Sequence, residues 1–136
     1  MKIPKKTKYK KYHRLNKNLS KPSFRKLELS NGFWGLKALE GGKISEKQIE
    51  SVRQTINKKI KPLGILWIRI FPHLSVTAKP LEVRMGKGKG AVKRWVYNVR
   101  PGQVLYEVSG VIPSVAFKSL MFGAKKLPIK TKVISY

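Results

Sequence analysis

The clearest periodicity in the chain lies in SEKQIESVRQTINKKIK, residues 45–61. Ile49, Val52, Ile56 and Ile60 recur at steps of three and four, which makes one apolar face of a helix. Ser45 with Gln48 three residues on is a capping box, and Glu46 suits the positive end of the helix dipole. Lys47, Arg53, Asn57, Lys58 and Lys61 fall mostly on the other faces, and Pro62 and Gly64 end the helix. PSVAFKSLMFGAKKL predicts a second helix with Pro113 in its first turn. Ala116, Leu120, Ala124 and Leu127 form its apolar stripe, Phe117 and Met121 widen it, and Pro128 terminates it. Strand patterns surround these helices. GFWGLKALEGG predicts a short strand bounded by glycines, and GILWIRIF a buried strand stopped by Pro72. SVTAKPLEVR is extended, with Pro80 pushing part of it to an edge or bulge. AVKRWVYNVR alternates, Pro101–Gly102 is a turn signal, and QVLYEVSG is strand-like, so a hairpin over 92–108 is expected. IKTKVISY is a last strand. Strands grouped around two helices predict an α+β fold, a sandwich or partly closed barrel with the helices on one face.

Charge changes the picture. The chain has 136 residues, and 31 Lys and Arg face six acids, all Glu, for a net charge of +25. That imbalance lies far outside ordinary globular composition and calls for a polyanion partner. Nucleic acid is the first candidate and an anionic membrane surface the second. A membrane binder needs a basic amphipathic helix whose bulky apolar residues meet lipid, and the 45–60 helix is better used in a core. No apolar run approaches bilayer length; the longest, ILWIRIF, is broken by Arg69. Neither membrane insertion nor self-association is expected. Residues 1–26 hold eleven Lys or Arg and no acid, with Tyr9, Tyr12, His13 and Phe24 among them. Too little is apolar there for a core, so residues 1–31 read as a basic extended arm and linker that orders on a polyanion, and 32–136 as a single domain. Aromatics between cations can stack on bases while the cations neutralise phosphates. The arm lacks a secretory apolar segment and reads as part of the mature protein. Lys outnumbers Arg, and Ile and Asn are common, which is compatible with an AT-rich genome such as a mitochondrial one.

Catalytic chemistry finds little material. With no Cys, no Asp and two His, ordinary metal-ligand spacings cannot be built, and no cofactor or metal is expected. Glu46 and Glu50 read as surface partners of nearby lysines on the helix. The stretch RMGKGKGAVKRW alternates Gly86, Gly88 and Gly90 with lysines, yet it is no nucleoside triphosphate loop. No Ser or Thr follows Lys89, and a strand follows rather than a helix. The dinucleotide fingerprint fails in the same way. What remains is binding. Glycines at every second position let backbone N–H groups approach an anion, with Arg84, Lys87, Lys89, Lys93 and Arg94 around them.

Six ordered blocks carry a resemblance: PKKTKYKKYHR at 4–14, GFWGLKALEGGKISEKQIESVR at 32–53, WIRIFP at 67–72, TAKPLEVRMGKGKGAVKRWV at 77–96, PGQVLYEVSGV at 101–111 and KKLPIKT at 125–131. The chain resembles the large-subunit ribosomal protein L-sixteen family of bacterial and organellar type. The resemblance implies an α+β domain with a mixed or antiparallel sheet and two helices, and no enzymatic activity. It implies binding to large-subunit rRNA near the base of the central protuberance, with neighbouring large-subunit proteins. It also implies a part in forming the A-site tRNA region and in late subunit assembly. The 84–90 loop would reach toward the peptidyl-transferase region, with A-site and P-site tRNA nearby. The RNA-binding residues are then expected to be Lys5, Lys6, Lys8, Tyr9, Lys10, Lys11, His13 and Arg14 in the arm, and Arg53, Lys58 and Arg69 in the domain. Arg84, Met85, Gly86, Lys87, Gly88, Lys89, Gly90, Lys93 and Arg94 complete the set around the loop. A bacterial-like protein with this Lys, Ile and Asn bias fits a mitochondrial ribosome, with a plastid or a bacterial cytoplasm as alternatives.

Overall fold

A computed structural model describes residues 3–13, 19–23 and 25–136 of the chain. In chain order its elements are β1 (Trp34–Ala38), β2 (Gly42–Ser45), α1 (Glu46–Ile60), β3 (Ile65–Ile68) and β4 (Leu74–Ala78). Then come β5 (Ala91–Val99), β6 (Val104–Ser109), α2 (Pro113–Ala124) and β7 (Thr131–Ser135). The strands form a four-stranded sheet of order β3-β6-β1-β7 and a three-stranded sheet of order β2-β5-β4. Every pairing is antiparallel. The fold is α+β as read from the sequence, but the two sheets do not close into a barrel.

Helix α1 forms as its pattern predicts. The Ser45 side chain accepts from the Gln48 N–H, and the Gln48 side chain accepts from the Ser45 N–H at 2.9 Å, so the capping box is complete. Ile49, Val52, Ile56 and Ile60 are buried. They pack with Leu36, Ile44, Val99, Tyr106 and Leu120 in one core between the helices and the sheets. Helix α2 keeps its expected stripe but not the widening of it. Ala116 and Leu120 are buried, but Ser119 and Gly123 are their buried companions, while Phe117 and Met121 are exposed. The cause is close helix packing. A Cβ on Gly123 would lie 2.9 Å from Ile56 Cγ1 and 3.3 Å from Val52 Cγ1, so α1 approaches α2 along its small residues. Ala124 and Leu127 pack at the core margin.

The hairpin expected over 92–108 does not form. β5 pairs with β2 and β4, and β6 pairs with β1 and β3. Pro101–Gly102 instead carries the chain from one sheet to the other. Gly102, at φ +88°, donates its N–H to Ala38 O at 2.7 Å, and Ala38 N donates to Gln103 O at 2.8 Å. Burial explains the choice. Val104 to Val108 are all buried, the signature of a strand covered on both faces, whereas β5 is exposed at Lys93 and Arg94. β2 is a short strand that the sequence pattern did not reveal. β4 ends before Pro80 and lies at a sheet edge with a register shift after Val76, as that proline led one to expect.

The two faces of β6 have different covers. Tyr106 points to the helices, and its hydroxyl donates to Ile49 O at 3.2 Å. Burial, then the Glu50 charge, pushes that hydroxyl up in pKa. Glu107 alternates to the other side, where it is 0% exposed. Its Oε2 accepts from the N–H groups of Ser30 (3.3 Å), Asn31 (2.7 Å) and Gly32 (3.0 Å), and Oε1 pairs with Arg69. Burial pushes the Glu107 carboxyl up; the Asn31 N–H, the Arg69 guanidinium and the Gly32 and Ser30 N–H groups outweigh it and hold the pKa below its ordinary value. The segment before β1 is thus fastened to the sheet. Val104 N donates to Lys26 O at 2.8 Å, and Ser23 N donates to Pro101 O at 3.0 Å. Lys26 Nζ donates to Arg69 O at 2.6 Å, and burial, then the Arg69 charge, lowers its pKa. A Cβ on Gly35 would press on the end of the Leu29 side chain, with Cδ2 at 2.4 Å, and lie 3.2 Å from Tyr106 O, so the segment before β1 packs closely over the strand there.

Candidate nucleic-acid interface

The 79–90 segment joins the edge strand β4 to β5, so the loop singled out by its composition is a true hairpin tip. Gly86, Lys87 and Gly88 take φ of +100°, +51° and +80° in succession. Two of these left-handed positions suit glycine, and nothing lies within 4 Å of a Cβ built on either. At the base, a Cβ on Gly90 would lie 2.5 Å from Ala78 O, so glycine lets the two strands close tightly there. Residues 81–89 are all exposed, Arg84, Met85, Lys87 and Lys89 among them.

The arm comes to this loop. Lys11 Nζ donates to Lys89 O at 2.9 Å, and Lys89 Nζ donates in return to Tyr12 O. Inside the loop Lys79 Nζ donates to Gly86 O. Residues 3–13 form no helix or strand and run beside β5, with Lys5, Lys6, Lys10, Val92 and Trp95 bounding a shared cleft. Lys8 Nζ lies 5.6 Å from the Tyr9 ring centroid, and Lys5, Lys6, Lys8, Tyr9, Lys10, Lys11 and His13 are exposed. Arg14 and Phe24 lie outside the described residues. Lys93 and Arg94 stand exposed on β5 directly beyond the loop. Arm and loop therefore present one basic surface, with Lys93 and Arg94 exposed on the strand that follows.

The other expected cations lie elsewhere. Arg53 on α1 pairs with Glu50, one turn earlier on the same helix, at 2.6 Å. The hydrogen bond from Arg53 is the main reason Glu50 sits below the usual carboxylate range. Arg69 pairs with Glu107 and is 19% exposed. Both arginines line a second cleft, of about 700 Å³, between α1 and β3. Lys58 is exposed on α1. Glu46 and Glu50 do not partner lysines as the sequence led one to expect. Glu50 takes Arg53 and Gln54, and Glu46 Oε2 accepts from the Trp95 N–H at 2.7 Å. Sequence reasoning passed over Trp95 as a site residue, because its place in an alternating strand reads as packing. Among the described residues no group of three or more His, Cys, Asp or Glu is placed to hold a metal ion, and no helix is long and apolar enough to cross a membrane.

A family model described as ribosomal protein L16p/L10e matches residues 4–134. The chain belongs to this family. It is similar to the large ribosomal subunit protein uL16 of Hyphomonas neptunium, at 51% identity over 132 residues, 96% of this chain and 94% of the relative. The protein of the same name from Acidiphilium cryptum is 46% identical over 132 residues, 97% of this chain and 94% of that one. That of Gluconacetobacter diazotrophicus is 47% identical over 133 residues, with 97% and 94% covered. All three relatives are bacterial. The L16p/L10e family is a structural, non-enzymatic component, in keeping with the lack of a catalytic constellation in the sequence. The match begins inside the arm at Pro4 and runs through the loop, so both halves of the basic surface belong to the family's extent.

Proposed function

We propose that this protein is a structural constituent of the large ribosomal subunit that grips large-subunit rRNA with its arm and its 84–90 loop. The observation that carries the reading is the reciprocal tie between Lys11 and Lys89, which joins arm and loop into one cationic surface. Phosphates would meet Lys5, Lys6, Lys8, Lys10, Lys11, His13, Arg14, Lys87, Lys89, Lys93 and Arg94. Arg84 can take a phosphate or a guanine edge bidentately. Gly86, Gly88 and Gly90, with Met85 exposed beside them, let backbone enter between RNA helices. Arg53, Lys58 and Arg69 form a second contact region around α1. The site sits near the base of the central protuberance and helps form the A-site tRNA region. The loop points toward the peptidyl-transferase region and the A-site and P-site tRNAs, and the protein joins late in assembly. Support for this placement is the resemblance of the whole chain together with the exposure of its loop. The Lys, Ile and Asn bias supports a mitochondrial ribosome; the bacterial relatives fit a bacterial cytoplasm equally.

Crosslinking the native protein in cell extract and sequencing the attached RNA tests the reading. Crosslinks from Lys87, Lys89 and the arm should concentrate in a few large-subunit rRNA helices. Crosslinks spread over DNA or many RNAs would leave only a general nucleic-acid binder.

A further inference from the structure

Between the arm and β5 lies a cleft of about 630 Å³. Its walls are unlike the rest of the basic surface. Lys5, Lys6 and Lys10 line one side, Val92 and Trp95 line the other, and no acid is present. Trp95 and Val92 are three residues apart, so in a regular strand they would point to opposite faces. The register shift in the β4–β5 ladder brings them together, because Trp95 pairs with Ser75 and Val92 with Thr77, two neighbours on one face of β4. The indole is half-buried and its backbone is held on both sides, by Ser75 across the ladder and by the Glu46 carboxylate at 2.7 Å. An aromatic fixed in this way cannot swing with the loop. The result is an indole carried on a fixed strand in the wall of a nucleotide-sized, cation-rimmed cleft.

We propose that this cleft is a base-stacking subsite. One unpaired nucleotide of the bound RNA places its base against the Trp95 indole, while Lys5, Lys6 and Lys10 take the flanking phosphates. The inference rests on the RNA-binding reading above and adds to it a ligand, an unstacked base, and a residue, Trp95. Stacking needs only a π-face, so it tolerates any base and favours purines, whereas the lysines supply charge without sequence preference.

The test uses the full chain with Trp34→Phe and Trp67→Phe, leaving Trp95 as the reporting indole. It is titrated with an oligoriboadenylate and with an oligomer of the same length carrying abasic sugars. The expected result is quenching of Trp95 by the oligoriboadenylate only, with about five- to a hundredfold tighter binding than the abasic strand. Trp95→Leu should erase that preference while the affinity for the abasic strand and its salt slope stay unchanged. Equal binding of both strands with no quenching would overturn the subsite and leave phosphate contacts alone. Failure of both strands to bind at low salt would instead overturn the RNA-binding reading, and the subsite with it. If circular dichroism shows Trp95→Leu unfolded, the quenching contrast between the two strands and the retained preference of Trp95→Phe decide the matter.

Discussion

Replacing Glu107 with Ala is the sharpest test of how the domain holds its N-terminal segment. The carboxylate is fully buried, accepts three backbone N–H groups and pairs with Arg69. Its removal leaves the buried Gly32 N–H without an acceptor, at about 1–3 kcal/mol. Ser30 and Asn31 are exposed residues whose N–H groups can turn to water, so they add little. Arg69 is deprived of its carboxylate in a site where its side chain is only 19% exposed. Hydrogen bonds to charged groups contribute about 1.5–3 kcal/mol. Together these give a loss of about 2.5–6 kcal/mol, which brackets the roughly 3–5 kcal/mol found when one partner of a buried pair is removed. A domain of this kind has only about 5–15 kcal/mol in all. The assay is urea unfolding followed by tryptophan fluorescence, in enough salt to screen a net charge of +25. Glu40→Ala is the control, because its partner Lys130 is exposed, and it should leave the midpoint unchanged. Acid gives a second reading. The Glu107 pKa is held below its ordinary 4.5, so its contribution is complete at neutral pH and is lost as pH falls below that value. The wild type should therefore lose stability on acidification more steeply than Glu107→Gln. If Glu107→Ala shifts the urea midpoint no further than Glu40→Ala, the anchoring role is wrong.

Changing Lys87 and Lys89 to Gln should leave the urea midpoint intact, since both are exposed, yet make the salt dependence of RNA binding shallower by roughly 0.7–0.9 for each phosphate no longer neutralised; an unchanged slope would remove the loop from the interface. The same two residues changed to Glu should impair subunit assembly and translation, read from sucrose-gradient profiles. Gly123→Val should cost about 1–3 kcal/mol by forcing α2 away from Ile56 and Val52, measured by thermal unfolding. Ser45→Ala should cost about 1 kcal/mol through removal of the cap on α1, with no effect on RNA affinity in a filter-binding assay.

Helix α1 was legible in the sequence to within a residue because its cap, its apolar spacing and its proline stop are local features. The partners of β5 and β6 were not legible. Alternation marks a strand but does not say which strand lies beside it, and the turn at Pro101–Gly102 serves a sheet change as well as a hairpin. The uninterrupted apolar run Val104-Leu105-Tyr106 was the available signal, since a half-exposed hairpin strand would carry polar residues at every second place. The widening of the α2 stripe failed for a related reason. Phe117 and Met121 are apolar, but the contact with α1 needs the small side chains of Ser119 and Gly123, and size is invisible to a hydrophobic period. The loop was found by composition. Its tie to the arm joins residues nearly eighty positions apart, and no local pattern encodes that.

The placement of the few acids explains how so basic a chain keeps both a fold and a usable charge. Four of the six Glu have partners that fix structure: Glu107 holds the segment before β1, Glu46 the Trp95 N–H, Glu50 the guanidinium of Arg53, and Glu40 the Lys130 ammonium beside β7. None of these lies in the arm or the loop. There the lysines are held differently. Lys11, Lys79 and Lys89 dock on backbone carbonyls of Lys89, Gly86 and Tyr12. A carbonyl accepts a hydrogen bond without cancelling a charge, so the loop and arm are shaped by contacts that leave their positive field in place. A carboxylate at the same points would hold the loop more strongly and neutralise it. The surface is thereby ordered and still uncompensated, which is the condition under which a phosphate backbone gains most from binding, through release of its own counterions.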